Sequence, residues 1–286
     1  MSRPGSPTDA RHASPAQVEA AAAAARAGVA IRLVQMLDEA RSAVELFDRL
    51  WGTSGNVILS VEHLWALAHG GNYAACAYDV DSEALLAASV GFFASPPGRT
   101  MHSDITGADP SARDRGLGMA LKLHQRAWAL DLGLTEITWT FDPLMSRNAY
   151  FNLAKLGADI AEYNVDFYGD MDDGVNAGQG SDRLLASWSI AGPVGRVAVA
   201  DDAVALLVDD GGQPALGHAA ANAIRVTVAV PRDILAVRAE DPDRARSWRV
   251  AVRETLGAEI GQGARVVGFA LPHGYILERP DERSQT

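Results

Sequence analysis

A strand-like run at residues 101–108 and an amphipathic run at 117–132 are joined by Asp109-Pro110-Ser111-Ala112-Arg113-Asp114-Arg115-Gly116-Leu117-Gly118. This junction constrains the chain more than any other stretch. Pro110 has no N–H to give, so pairing of the preceding strand ends there. Gly116 and Gly118 remove Cβ atoms where the backbone must turn into a helix. Leu117, Ala120, Leu121, Ala127, Trp128 and Leu132 then recur on one helical face, which requires a core to bury them.

Helical runs at 36–51 and 61–68 precede two β-type runs, 73–79 and 84–94, separated by the turn Val80-Asp81-Ser82. After the junction come a strand at 136–141, a helix at 146–156 stopped by Gly157, and strands at 160–167 and 184–190. From about Gly192 a second pattern begins, with strands at 203–208 and 224–230, a helix at 242–256 and a closing hairpin of 266–271 and 275–278. The fold class is α/β, of the α+β kind. Residues 1–28 read as a mobile Ala/Pro/Ser-rich tail, with room for a short alanine helix. Residues 29–190 form the main domain, and 191–286 an α/β extension packed on it or completing it.

The formal net charge of −11 argues against nucleic acid, whose phosphate backbone an acidic surface repels. An anionic ligand would need a local site of backbone N–H groups and a few arginines. No apolar run approaches the roughly 18 residues of a membrane span, and the N-terminus lacks a signal peptide's layout. Cys76 is the one cysteine, in the apolar run Tyr73-Ala74-Ala75-Cys76-Ala77-Tyr78. It reads as a core residue in a chain without internal disulfides, which fits the cytoplasm. No metal-ligand pattern is evident.

A pyrophosphate is what the junction suits best. The first turn of a helix presents unpaired amides and the positive end of a dipole, and Arg113 and Arg115 add charge. A purely structural connection remains open at this point. Leu121 stands where a dinucleotide fingerprint needs its third glycine, and the Walker lysine pattern is absent.

Arg-x-x-Gly-x-Gly between a strand and a helix resembles motif A of the GNAT N-acyltransferase superfamily. The stretch Ser146-Arg147-Asn148-Ala149-Tyr150-Phe151-Asn152-Leu153-Ala154-Lys155-Leu156-Gly157 is similar to that family's later coenzyme A-contacting helix. His102-Ser103, Trp139 to Leu144, Phe167-Tyr168-Gly169, Ser181 to Leu184 and Trp248-Arg249…Arg253-Glu254 resemble a bacterial branch of GNAT acyltransferases, over residues 36–280. The resemblance implies a mixed, mostly antiparallel sheet flanked by helices and splayed at the strand before the turn. Acetyl-CoA or another acyl-CoA, such as succinyl-CoA, is the implied co-substrate. Its pantetheine arm would pair with Ile105, Thr106, Gly107 and Ala108. Its pyrophosphate would take N–H groups from Arg113, Asp114, Arg115, Gly116, Leu117 and Gly118. Asn148 would bond the pantetheine, although the family's usual asparagine aligns nearer Ser146.

Amine acylation needs a base for the amine and a proton for the departing thiolate. Period-two alternation places His102, Asp104 and Thr106 on one strand face. His102 lies near the position where many relatives carry a glutamate base, and Asp104 would orient a cationic substrate. The family's acid tyrosine falls on Leu153, a departure. Tyr168 is the preferred substitute, Tyr150 the other, and water the third. Asp142 reads as a cap, Glu136 as solvated surface, and Arg249 and Arg253 either as a carboxylate clamp or as surface partners of Glu254. The implied reaction is direct acyl transfer in a ternary complex to a small-molecule amine, an amino acid being one class. The alternative is an inactive coenzyme A-binding sensor or assembly module. A homodimer is left open.

Overall fold

The computed structural model describes residues 13–52, 58–169, 180–198, 200, 202–217 and 222–280. The expected tail over residues 1–12 therefore lies outside the described residues. The architecture is mixed α/β, with mostly antiparallel sheets flanked by helices. The chain divides into two compact units, one ending at Ile137 and the other beginning at Thr138.

In the first unit, β1 (Val29–Leu33), β2 (Tyr73–Asp79), β3 (Leu85–Ala94) and β4 (Thr100–Ala108) lie side by side in chain order, every neighbouring pair antiparallel. Helices α2 (Leu37–Trp51) and α3 (Val61–His69) cover one face. Their Ala40, Val44, Phe47 and Leu64 pack with Ala74, Cys76, Ala88 and Val90 of the sheet. Helix α4 (Leu117–Asp131) covers the other. Burial pushes the Cys76 thiol up to about 11, which makes it a core residue rather than a nucleophile.

Residues 13–28 depart from the expected mobile tail. Pro15–Ala27 is helix α1, opened by a reciprocal capping box between Ser14 and Gln17 and closed by Gly28 in the left-handed region, φ 66°. Ala16, Ala20, Ala23 and Ala27 form a buried stripe that packs on α4. Glu19 pairs with Arg126 at 2.8 Å and Gln17 donates to Asp131 at 2.7 Å. Alanine side chains bury little area each, but they let two helices approach closely, and the polar bonds fix the register.

Strand β5 (Glu136–Phe141) begins in the first unit, where Glu136 accepts from Thr100 Oγ1 at 2.9 Å and is not the solvated residue expected. The rest of β5 belongs to the second unit, in the order β5-β7-β6 with β6 (Asp159–Asn164) antiparallel to β7 (Arg183–Ser189). Strand β6 stops short of the expected 167 because the chain turns at Asp166, φ 46°. Between β5 and β6, α5 (Ser146–Tyr150) widens into a π-helical turn over Phe151–Leu156. A second sheet has the order β11-β12-β10-β8-β9. It is built from β8 (Val204–Asp210), β9 (Gln213–Leu216), β10 (Arg225–Val228), β11 (Arg265–Ala270) and β12 (Gly274–Glu278), flanked by α6 (Ile234–Glu240), α7 (Pro242–Val252) and α8 (Ala258–Gly261).

This second unit is organised around a buried carboxylate. Asp142, at the end of β5, receives Arg249 through two bonds of 2.7 Å and Arg238 through a third of 2.7 Å. It also accepts the Leu144 amide at 2.8 Å, a turn bond and not the expected helix cap, since the N-cap of the next helix is Met145. Arg253 bonds Asp182 at 2.6 Å and 3.0 Å and Asp166 at 3.1 Å. Both arginines reach aspartates far along the chain rather than Glu254. Burial alone would raise the Asp142 carboxyl, but the Arg249 fork, the Arg238 charge and the Leu144 amide outweigh it and bring it down to about 2.

Arg249→Ala would leave that buried carboxylate with Arg238 and the Leu144 amide alone, and urea unfolding should show a loss approaching the roughly 3–5 kcal/mol of a broken buried pair. The folded pKa of about 2 lies below the ordinary 3.8. The wild-type contribution should therefore be complete above pH 3.8 and lost as the pH falls through the folded value.

Candidate functional site

The site residues of the first unit lie on β4 and on the turn that follows it. In the β3–β4 pairing, Val90 faces Ile105 and Gly91 faces Ser103, so Asp104 is an extra residue without a partner on β3. This bulge resets the alternation. Ser103 and Thr106 now lie on the α4 face, where Ser103 accepts from Lys122 at 2.8 Å, while Thr106 bonds its cross-strand partner Ser89 at 2.8 Å. His102, Ile105 and Gly107 lie on the α2 face. The expected common face of His102, Asp104 and Thr106 is therefore broken. Gly91 is required opposite the bulge, because a Cβ there would stand 2.7 Å from the His102 carbonyl oxygen and 2.6 Å from Met101 Cε.

His102 is half-buried, with its ring 5.4 Å from that of Phe92. Burial lowers its pKa below the ordinary 6.5; the Asp104 charge opposes this and the Lys122 charge adds to it. Asp104 keeps an exposed edge. Partial burial of its carboxyl nevertheless raises its pKa against the pull of His102 and His63. His102 thus favours the neutral imidazole at neutral pH, the form that accepts a proton.

The turn is built from successive local bonds. The Asp109 amide donates to the Leu86 carbonyl at 2.7 Å, and the Asp109 side chain accepts the Ser111 amide at 2.9 Å. A 3-10 turn over Pro110–Ala112 follows, with Ala112 buried. Asp114 has φ 65°, and Gly116, the N-cap of α4, has φ 85°. A Cβ at Gly116 would meet nothing within 4 Å, so backbone conformation and not crowding demands glycine here. The first amides of α4, at Leu117, Gly118 and Met119, precede the first intrahelical bond, Ala120 N–H to Gly116 C=O at 3.0 Å. Arg113 is exposed.

The Arg115 guanidinium, which the spacing suggests as a phosphate ligand, has protein partners. Its Nε donates to the Ala27 carbonyl and one Nη to the Gly28 carbonyl, both at 3.1 Å, and the other Nη pairs with Asp79 at 2.9 Å. The guanidinium thus ties the turn to the end of α1 and to β2. A cation at a helix C-terminus also complements the dipole. This contact was invisible in sequence because its acceptors are backbone carbonyls nearly ninety positions away.

In the second unit, Ser146 opens α5 and is buried, whereas Asn148 is exposed. Two residues apart on a helix, they point to different sides. Leu153, at the position of the expected tyrosine, is fully buried. Tyr150 and Tyr168 are exposed. The Tyr168 hydroxyl bonds Thr140 Oγ1 at 3.1 Å, and Arg183 lies 5.2 Å from its ring centre. Among the described residues there is no helix long and apolar enough to cross a membrane and no cluster of three metal-ligating side chains.

No protein-family model matches the chain, and no curated protein matches it. Among solved structures it is similar to the ribosomal-protein-S5-alanine acetyltransferase of Vibrio fischeri, with 16% identity over 56% of this chain and 92% of that one and a TM-score of 0.45. It is also similar to an acetyltransferase of the GNAT family from Streptococcus pneumoniae, with 16% identity, coverage of 56% and 98%, and a TM-score of 0.41. A Bacillus subtilis acetyltransferase in complex with CoA gives 19% identity, coverage of 56% and 98%, and a TM-score of 0.41.

Replacing Arg115 by Ala should loosen the α1–turn junction. Loss of the two carbonyl bonds predicts about 1 kcal/mol of destabilisation. Hydrogen exchange at the last turn of α1 should accelerate, with the β2–β3 amides little changed.

Proposed function

We propose that this chain is an acyl-coenzyme A-dependent N-acyltransferase whose co-substrate's pyrophosphate lies against the turn from Arg113 to Gly118. One observation carries the proposal: a left-handed Gly116 with open space beside it, at the mouth of a helix whose first amides lack intrahelical acceptors. The charge at this site comes from the helix dipole and Arg113, since Arg115 is committed to α1 and Asp79. The pantetheine arm runs along Ile105 to Ala108. Ser146, buried, and Asn148, exposed, belong to the second unit.

His102 takes the proton as the amine nitrogen attacks the thioester carbonyl. The C–N bond forms, the tetrahedral intermediate collapses and the C–S bond breaks. The thiolate then receives a proton from water. Asp104, beside His102 on the bulge, attracts a cationic acceptor such as an amino acid's ammonium group. Acetyl and succinyl groups are both candidate donors. With His102 as base, kcat/KM should rise with pH through a midpoint below 6.5 and then level.

The buried Leu153 favours a second reading, a coenzyme A-binding module without turnover. The two separate on release of free thiol from acetyl- or succinyl-CoA with a panel of amines: binding without release on any amine identifies the module. Binding itself is tested by melting temperature. Asn and Asp both tolerate the left-handed region, so Gly116→Asn and Gly116→Asp carry similar backbone cost and differ in charge. Acetyl-CoA should raise the melting temperature of the wild type and, less strongly, of G116N, and should not raise that of G116D. No rise for the wild type at millimolar ligand would sink the proposal.

A further inference from the structure

Lys122 is a charged side chain where physical chemistry disfavours one. It lies in the middle of α4, 6% exposed, on the face turned to the sheet. Its ammonium donates to Ser103 Oγ at 2.8 Å and to Gln125 Oε1 at 3.3 Å, both neutral oxygens. Gln125 is fully buried, and its Nε2 has no acceptor among the described residues. The apolar alternative was available at every turn of this helix, whose neighbouring positions Leu121 and Leu123 are buried hydrophobics. A buried polar cluster with one group unsatisfied is less stable than a leucine or methionine packed in the same volume. Stability does not account for it.

The acceptor chosen by Lys122 is informative. Ser103 is the last residue paired with β3 before the bulge, facing Gly91, and Asp104 is the unpaired residue that follows. His102 immediately precedes Ser103 and lies on the opposite face. We infer that Lys122 is a positioning residue: by holding Ser103 from beneath the sheet, it fixes the bulge from which His102 and Asp104 are presented. This inference rests on the acyltransferase reading for its catalytic consequence, though not for its geometry. The same helix carries the turn at its N-terminus, so Lys122 links the phosphate end of the site to the acyl end through one rigid element.

The electrostatics agree. Burial brings the Lys122 ammonium down to about 7, and its charge is one of the causes that lower His102. Other titratable groups on elements packed against α4 include Tyr73, Asp79 and Glu19. Tyr73 on β2 bonds His124 at 2.9 Å, and Glu19 on α1 pairs with Arg126 at 2.8 Å.

The test uses Lys122→Met, which preserves volume and removes charge, and Ser103→Ala, which keeps the lysine and removes its acceptor. His102 is followed by the NMR titration of its ring protons. For K122M we expect a melting temperature no lower than wild type, a retained acetyl-CoA shift and a His102 midpoint moved upward. In steady-state assays, kcat should fall on the order of 10-fold or more with KM for acyl-CoA within about twofold. S103A should show the same split between kcat and KM and serves alone if K122M does not fold. An unmoved His102 midpoint in a folded K122M, or an undiminished kcat in either variant, would overturn the inference. If the wild type acylates no amine, the acyltransferase reading fails, and the His102 midpoint still decides for or against Lys122.

Discussion

A single extra residue in β4 sets the direction of every side chain around it. Without Asp104 as a bulge, His102 and Thr106 would share a face, and either the Ser103–Lys122 bond or the Ile105 packing would be lost. With it, Ile105 and Gly107 turn toward α2, while Ser103 and Thr106 turn toward α4. The bulge in turn depends on Gly91, the position on β3 where a Cβ would strike the His102 carbonyl. The arrangement of the proposed base therefore rests on a backbone irregularity supported from two sides, by a missing side chain on β3 and a long one on α4.

The turn beyond β4 obeys a related economy of charge. In a chain of net charge −11, arginines next to a phosphate-type turn invite assignment to the ligand. The structure divides them. Arg115 places its donors on the carbonyls that end α1 and on Asp79, while Arg113 is exposed beside the turn. Holding the turn's shape would contribute to the proposed binding in its own right, because amides ordered before a ligand arrives need not be ordered by it.

The fold was legible wherever periodicity and punctuation agreed. Strand β5 and the central strands β2 to β4 follow the sequence pattern to within a residue or so, as does α4, because Gly, Pro and the apolar period mark their ends. What failed has physical causes. For α1 the sequence suggests a tail with room for a short alanine helix and does not show its docking, because its buried stripe is alanine, whose burial carries little hydrophobic signal, and its partner surface on α4 exists only in three dimensions. Strand β1 is five residues long, and alternation over so few positions is weak. The turn is recognisable from its glycines, but the shared face expected of His102, Asp104 and Thr106 is broken by a bulge, which local sequence does not advertise. For Arg249 and Arg253 the sequence offers a carboxylate clamp or the nearby Glu254 and does not point to Asp142 and Asp182, since pairing across about seventy to a hundred positions leaves no local trace.

Two buried charges show how the same burial serves different ends. Asp142 is enclosed by Arg249, Arg238 and the Leu144 amide, so its charged form is favoured despite the loss of water, and its carboxyl is held near 2. Such a group stays ionised at any pH the protein meets and acts as a fixed joint of the second unit. Lys122 is buried as deeply, but its bonds to Ser103 and Gln125 go to neutral oxygens, and its ammonium is brought to about 7. Its ammonium can gain or lose a proton near neutrality, beneath the strand that carries His102, the proposed base. That difference in partners, rather than the depth of burial, separates a charge that holds the fold from one that bears on the site.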